Sequence, residues 1–137
     1  MTRTEFFMPM IPPTTTHQMK QVKVIYKDGE PTPVFYEPDE LKAVRVKLQA
    51  HLAKHVPEKK YATAIRVVVK WLFPITGKHQ DGEYKITKPD CSNLIKLLED
   101  VMTDLGFWTD DKLVSSLVVE KFYADKPGIY VCIEELM

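Results

Sequence analysis

The sequence predicts an α+β domain in which two main helices pack on a mixed β-sheet of five or six strands. Three observations lead there. Two stretches repeat apolar residues every three or four positions, several shorter ones alternate or are rich in β-branched residues, and strong turn sequences separate them. At 137 residues, 45% hydrophobic and 28% charged, the chain is long enough for one such core and too short for two ordinary ones. Residues 1–137 are read as a single domain.

Glu5 to Pro9 is apolar and extended. Pro12-Pro13 followed by Thr14-Thr15-Thr16 then disfavours helix, so a first strand ends in a loop. Gln21 to Tyr26 alternates, Lys27-Asp28-Gly29-Glu30 carries an Asp-Gly turn signal, and Val34-Phe35-Tyr36 follows, which reads as a β-hairpin. From Asp39 to Val56 the residues Leu41, Val44, Leu48, Leu52 and Val56 form one stripe of a helix, with Lys42, Lys47 and Lys54 on its other side. Ala62 to Phe73 is dense in β-branched residues and reads as a mostly buried strand. A polar loop, Thr76 to Lys88, leads to Pro89. A second helix starts near Asn93 and runs to Leu105, with Gly106 where a left-handed terminating residue is wanted. Leu113 to Tyr123 and Gly128 to Glu134 complete the strands, joined by the turn sequence Asp125-Lys126-Pro127-Gly128.

Nineteen basic residues balance nineteen acidic ones, so no net field draws the molecule toward nucleic acid or an anionic membrane. The balance conceals a polarity. Up to Lys70 there are 12 basic and 7 acidic residues, and after it 7 basic and 12 acidic. The longest apolar-rich stretch, Ala62 to Ile75, is broken by Arg66 and Lys70 and falls short of the roughly 20 residues a membrane span needs. The N-terminus has an acid ahead of Phe6-Phe7-Met8 and no small-residue cleavage site, so a cytoplasmic location is expected. Cys91 and Cys132 have no CxxC or Cys/His spacing, which disfavours both a disulfide framework and structural zinc. His51 and His55 are four apart on a helix but lack a third ligand. No glycine-rich phosphate loop is present, so no nucleotide cofactor is expected.

The chemistry concentrates on the second helix. At 100° per residue, Leu94, Ile95, Leu97, Leu98, Val101, Met102 and Leu105 share a broad apolar face, and Asn93, Lys96, Asp100 and Asp104 form a polar row. Asp90 precedes the helix, where the macrodipole favours anions and where Ser92 or Asn93 can cap. Beyond the helix, Phe107-Trp108 anchors a reversal that can return Asp110-Asp111 toward Asp90. Trp108 is expected in the core rather than stacked on a base. Hard divalent cations such as Mg²⁺ need only one or two carboxylates and leave other positions to water and phosphate oxygens. Asp90 and Asp111 meet that minimum, with Lys96 as a fixed positive charge, so hydrolysis of a phosphodiester is the chemistry suggested. The same residues also admit a purely structural account, with Asp90 as a cap and Lys96 and Asp100 as an ordinary helical ion pair.

Lys88-Pro89-Asp90-Cys91-Ser92-Asn93-Leu94-Ile95-Lys96, then Asp100, then Gly106-Phe107-Trp108-Thr109-Asp110-Asp111 and Val114 resemble the signature of the RusA-type Holliday junction resolvases. Met10-Ile11-Pro12-Pro13-Thr14 resembles that family's N-terminal Pro-Pro-Ser/Thr loop, so the likeness spans nearly the whole chain. The resemblance implies that Asp90 and Asp111 are metal ligands, that Lys96 is the essential lysine and that Asn93 supports the catalytic site. It also implies a Mg²⁺ cofactor, with Mn²⁺ as a substitute, four-way-junction DNA as substrate in recombination, repair or phage replication, and a homodimer. One position departs from the pattern. Ser92 stands where the family has a second Asp, so a neutral hydroxyl replaces a charged ligand. Three outcomes are open: Asp110 or Asp100 substitutes, the metal is held more loosely, or the chain binds branched DNA without cutting it well.

A neutral protein that grips DNA must gather its cations on one surface, because affinity follows the phosphates neutralised. His17, Lys20 and Lys23 flank the Pro-Pro loop, Lys78 lies in the long loop, and Lys85 and Lys88 precede Asp90; these are the expected DNA contacts. A four-way junction has approximate twofold symmetry and must be nicked on two strands, which suits a closed dimer with one site per subunit.

Overall fold

The computed structural model describes residues 2–16 and 21–137, so the predicted DNA contacts His17 and Lys20 lie outside the described residues. The elements run β1 (Arg3–Pro9), β2 (Gln21–Lys27), β3 (Glu30–Tyr36), α1 (Asp39–Leu52), β4 (Ile65–Pro74), α2 (Cys91–Leu105), β5 (Val114–Ala124) and β6 (Gly128–Glu135). An α+β fold results, with six strands and two α-helices among the described residues. The strands divide unevenly. Four form a mixed sheet in the order β1-β6-β4-β5, and among the described residues β2 and β3 pair only with each other.

Alternation along β4 builds the core. Ile65, Val67, Val69, Trp71 and Phe73 are buried on one face while their neighbours face the other way. Register carries that face across the sheet: Val69 lies opposite Val131 on one side and Val119 on the other, and Val131 lies opposite Phe6. Against this face α2 buries Leu94, Ile95, Leu97, Leu98, Val101 and Met102, and α1 buries Leu41, Leu48 and Leu52. Each such apolar side chain is worth roughly 1.5–3 kcal/mol when fully buried. The β4–β5 pair is parallel. A parallel pair requires a crossover, and α2 supplies it, so the helix with the polar row is fixed directly over the sheet.

The first helix is shorter than its apolar stripe suggests, ending at Leu52 and passing through a 3-10 turn over Ala53–His55. Val56 stands before Pro57, whose ring excludes helical geometry from its predecessor, and Val56 is extended at φ −60° and ψ 125°. The second helix begins earlier than the sequence suggests, at Cys91. Its position is set by Asp90, whose extended backbone directs its carbonyl to accept from the amides of Asn93 (3.1 Å) and Leu94 (3.0 Å). Ser92 and Asn93 therefore lie inside the first turn rather than at the cap.

His55 stacks face to face on Phe6, with ring centroids 4.2 Å apart, so its imidazole packs on the core instead of joining His51 at a metal. Burial, then the charges of Lys54 and His51, push its pKa below the ordinary value of 6.5. The folded protein therefore binds fewer protons than the unfolded chain just below that pH, and stability rises with pH through the window. We expect the melting temperature to increase from about pH 5.5 to about pH 7, and His55→Gln to flatten that rise. An unaltered slope in the variant would assign the dependence to other groups.

Candidate functional site

The approach to α2 is held by a lysine from the neighbouring strand. Lys121 of β5 donates to the carbonyl of Thr87 and to that of Pro89, the latter at 2.8 Å. The residue before Asp90 is thereby tied to the sheet, and Asp90 follows with an exposed side chain that makes no capping hydrogen bond to any described residue. Its carboxylate is not consumed by the helix end.

At the other end, Gly106 adopts the left-handed conformation at φ 88° and ψ 32°, and its amide and that of Phe107 return to Met102 and Thr103 carbonyls. The chain then turns into the core. Phe107 and Trp108 are buried, with the indole Nε1 donating to Thr103 Oγ1 at 2.8 Å, so Trp108 is an anchor and is not presented to a base. Thr109 donates its amide to the Tyr61 carbonyl at 3.0 Å. Asp110 follows as the cap of a short 3-10 turn, one carboxylate oxygen accepting from the Lys112 amide at 2.8 Å. Asp111 is the first residue of that turn, is exposed, and makes no hydrogen bond through its side chain among the described residues.

This reversal sets Asp110 and Asp111 on the rim of a cavity of about 530 Å³. Asp100, Thr103 and Asp104 from the C-terminal half of α2 line it too, with Thr109, Glu37 and Arg45. Five carboxylates thus face one guanidinium. Arg45 is shared, its Nε 2.8 Å from Glu37 and its Nη2 3.8 Å from Asp100. Sequence patterning does not single out Glu37 or Arg45, because their role depends on how α1 is laid beside α2.

Of the predicted catalytic and metal residues, Asp110 and Asp111 line this cavity. Asp90, Ser92, Asn93 and Lys96 do not; they occupy the N-terminal turns of the same helix, with Asp90 ten residues before Asp100, a rise of about 15 Å. Glu99 lies on α2 between the two groups in sequence. It is half-buried on α2, and the charges of Asp111, Lys96 and Asp100 all act on it. Burial first, then Asp111 and Asp100, raise its pKa, with Lys96 opposing. Glu99 does not stand out in the sequence because it flanks the polar row instead of belonging to it, although it follows Lys96 by three residues, a spacing that makes helical neighbours.

The donors here are carboxylates and hydroxyls. Such hard oxygen ligands fit a magnesium-like ion held by one or two carboxylates and water. They do not make an all-protein cage: no group of three or more His, Cys, Asp or Glu side chains among the described residues is gathered to hold a metal. Of the predicted DNA contacts, Lys78 and Lys88 are exposed. Lys85 lies over the Phe73 and Tyr123 rings and donates to Thr87, and Lys23 lies over Tyr36 on the hairpin. No helix among the described residues is long and apolar enough to cross a membrane.

Comparison with known proteins agrees with the motif. The family profile described as "Endodeoxyribonuclease RusA" matches residues 10–134. A curated relative, "Crossover junction endodeoxyribonuclease rusA" of Lactococcus phage r1t, is 28% identical over 134 residues, covering 96% of each chain.

Proposed function

The chain belongs to the RusA endodeoxyribonuclease family, and from that premise we propose that it is a Mg²⁺-dependent, structure-selective endonuclease that resolves four-way DNA junctions as a homodimer in the cytoplasm. The observation that carries this reading is the family match over residues 10–134, supported by Asp90, Asn93, Lys96 and Asp111 standing at the spacing of the motif the chain resembles. The resemblance assigns Asp90 and Asp111 to the cation, which when bound would activate a water and offset charge building on the phosphodiester; of the two, Asp111 lines the acidic cavity and Asp90 stands at the entry of α2. The protein's own part is mainly electrostatic and geometric. Lys96 supplies a fixed positive charge to a phosphate oxygen, Asn93 supports the turn that carries Asp90, and the Lys121 contacts to the Thr87 and Pro89 carbonyls hold that turn against the sheet. Because the Asp111 cavity is strongly acidic, the DNA backbone is gripped outside it, with Lys23, Lys78, Lys85 and Lys88 as the described candidates.

Ser92 favours one other reading, a junction-binding protein in which loss of the second family carboxylate has removed cleavage. Both readings meet in one assay. With Mg²⁺ or Mn²⁺, the first expects paired nicks on a synthetic four-way junction and little cutting of linear duplex. Retarded junction DNA with no nick under either cation would establish the second, and equal cutting of linear duplex would exclude both.

A further inference from the structure

We propose that a second cavity, beside Tyr61, grips a backbone phosphate of the bound DNA. The inference rests on the junction-DNA reading and adds a binding subsite to it. The cavity measures about 340 Å³, within the range of small-ligand sites, and is walled by β1, the end of β6 and the segment that carries the chain from α1 to β4. Its chemistry is the reverse of the acidic cavity's. Lys59 and Lys60 line it with Thr2, Thr4, Tyr61 and Thr63, and Glu135 is the one acid among its described residues. That acid is already engaged, since Thr2 donates its hydroxyl to Oε1 at 2.9 Å and its amide to Oε2 at 3.3 Å. The two ammonium groups make no ion pair among the described residues, so a surplus of positive charge remains.

A buried hydroxyl pair supplies a second feature. Thr4 Oγ1 and the Tyr61 hydroxyl share one hydrogen bond of 2.6 Å, and Tyr61 is 3% exposed. Two hydroxyls carry two protons and their bond uses one, so whichever group donates, a proton is left for an acceptor in the cavity. Lysines and hydroxyls are the donors that fix a nucleic-acid backbone without reading its bases. Placement is the third feature. The Tyr61 amide donates to the Phe107 carbonyl and the Tyr61 carbonyl accepts from the Thr109 amide, both at 3.0 Å, and Thr109 lines the acidic cavity. A strand held at the lysines therefore lies next to carboxylates that cannot grip it themselves. Lys60 is steadied there: a Cβ on Gly106 would come 3.0 Å from its Cε, so the missing methyl lets the lysine cross the end of α2. The carbonyls of that helix end favour a cation too, which accounts for Lys60 alone and not for Lys59 or the hydroxyl pair.

The test is binding of a fluorescent four-way junction to the protein, read by anisotropy over a series of salt concentrations without divalent cation, so that no cleavage intervenes. Lys59→Gln combined with Lys60→Gln is expected to weaken binding about tenfold at low salt and to make the plot of log affinity against log salt shallower by about 1, the slope of one phosphate contact. Tyr61→Phe keeps the ring and both backbone bonds; it should weaken binding about threefold and leave the slope unchanged, because the donor it removes is neutral. Lys42→Gln combined with Lys47→Gln, an equal loss of charge at exposed positions of α1, should match the native protein. Lys59 and Lys60 are exposed as well, so the fold is expected to survive, and thermal melts check that it does. If the Lys59 and Lys60 changes leave affinity and slope at native values, or the Lys42 and Lys47 changes cost as much, the cavity holds no phosphate and the junction reading stands. If the native protein binds no junction, the junction reading falls and the subsite with it.

Discussion

Asp111→Asn is expected to reduce junction cleavage by about 10²–10³-fold, the loss typical when one charge-stabilising group is taken from a phosphoryl or acyl transfer site, some 3–4 kcal/mol of barrier. The fold gives reason to expect a clean result. Asp110 performs the capping of the 3-10 turn, so the Asp111 carboxylate is not needed for that turn. The cavity around it holds Asp100, Asp104, Asp110 and Glu37, and neutralising one of five acids relieves repulsion instead of opening a hole. Junction affinity should therefore be unchanged or higher, since one fewer negative charge faces the phosphates. Gel retardation and nicking measured at one salt concentration separate the two effects. Native cleavage in the variant would remove Asp111 from the chemistry.

The largest expected effect on stability belongs to a glycine, Gly128→Ala. Gly128 begins β6 opposite Pro9, and a Cβ there would lie 2.2 Å from Cζ of Phe7, 2.6 Å from its Cε1 and 2.7 Å from the carbonyl oxygen of Met8. A ring at the end of a side chain can swing aside. A carbonyl inside a paired strand cannot, so β1 or β6 must move and the ladder between them is strained. A cost of about 3 kcal/mol follows, at the upper end of ordinary overpacking and a large share of the roughly 5–15 kcal/mol that holds a domain folded. Urea unfolding should show a lower midpoint with an unchanged slope. Truncating the ring as well, in Phe7→Ala with Gly128→Ala, should recover only part of the loss; full recovery would place the conflict in the ring alone.

Local patterns were most legible where sequence and backbone geometry are tied most tightly. Gly106 marks the end of α2 because a left-handed residue is needed there, and the seven apolar positions from Leu94 to Leu105 give its buried face. The Asp28-Gly29 turn was readable for the same reason, with both residues at positive φ. Strand neighbours were not. Nothing in Val22, Val24 and Tyr26 distinguishes a hairpin that joins the main sheet from one that stands apart, and only the assembled register shows that it stands apart. Nor does the parallel pairing of β4 with β5 follow from either strand alone. For the candidate site, motif spacing singles out Asp90, Lys96 and Asp111, of which Asp111 lines the acidic cavity. Arg45, Glu37 and Glu99 acquire meaning only from the packing of α1 on α2 and from the return of the chain after Trp108, which no local pattern encodes.

The detached hairpin has a consequence for how such a protein can change over time. Val22, Val24 and Tyr26 remain exposed on one side of it, and none of them belongs to the hydrophobic cluster. Pro31 and Pro33 lack amide hydrogens, which blunts the outer edge of β3 against pairing with a stray strand. Mutations there are screened neither by core packing nor by sheet closure, so descendants can lengthen, recolour or discard this arm while inheriting the catalytic scaffold untouched.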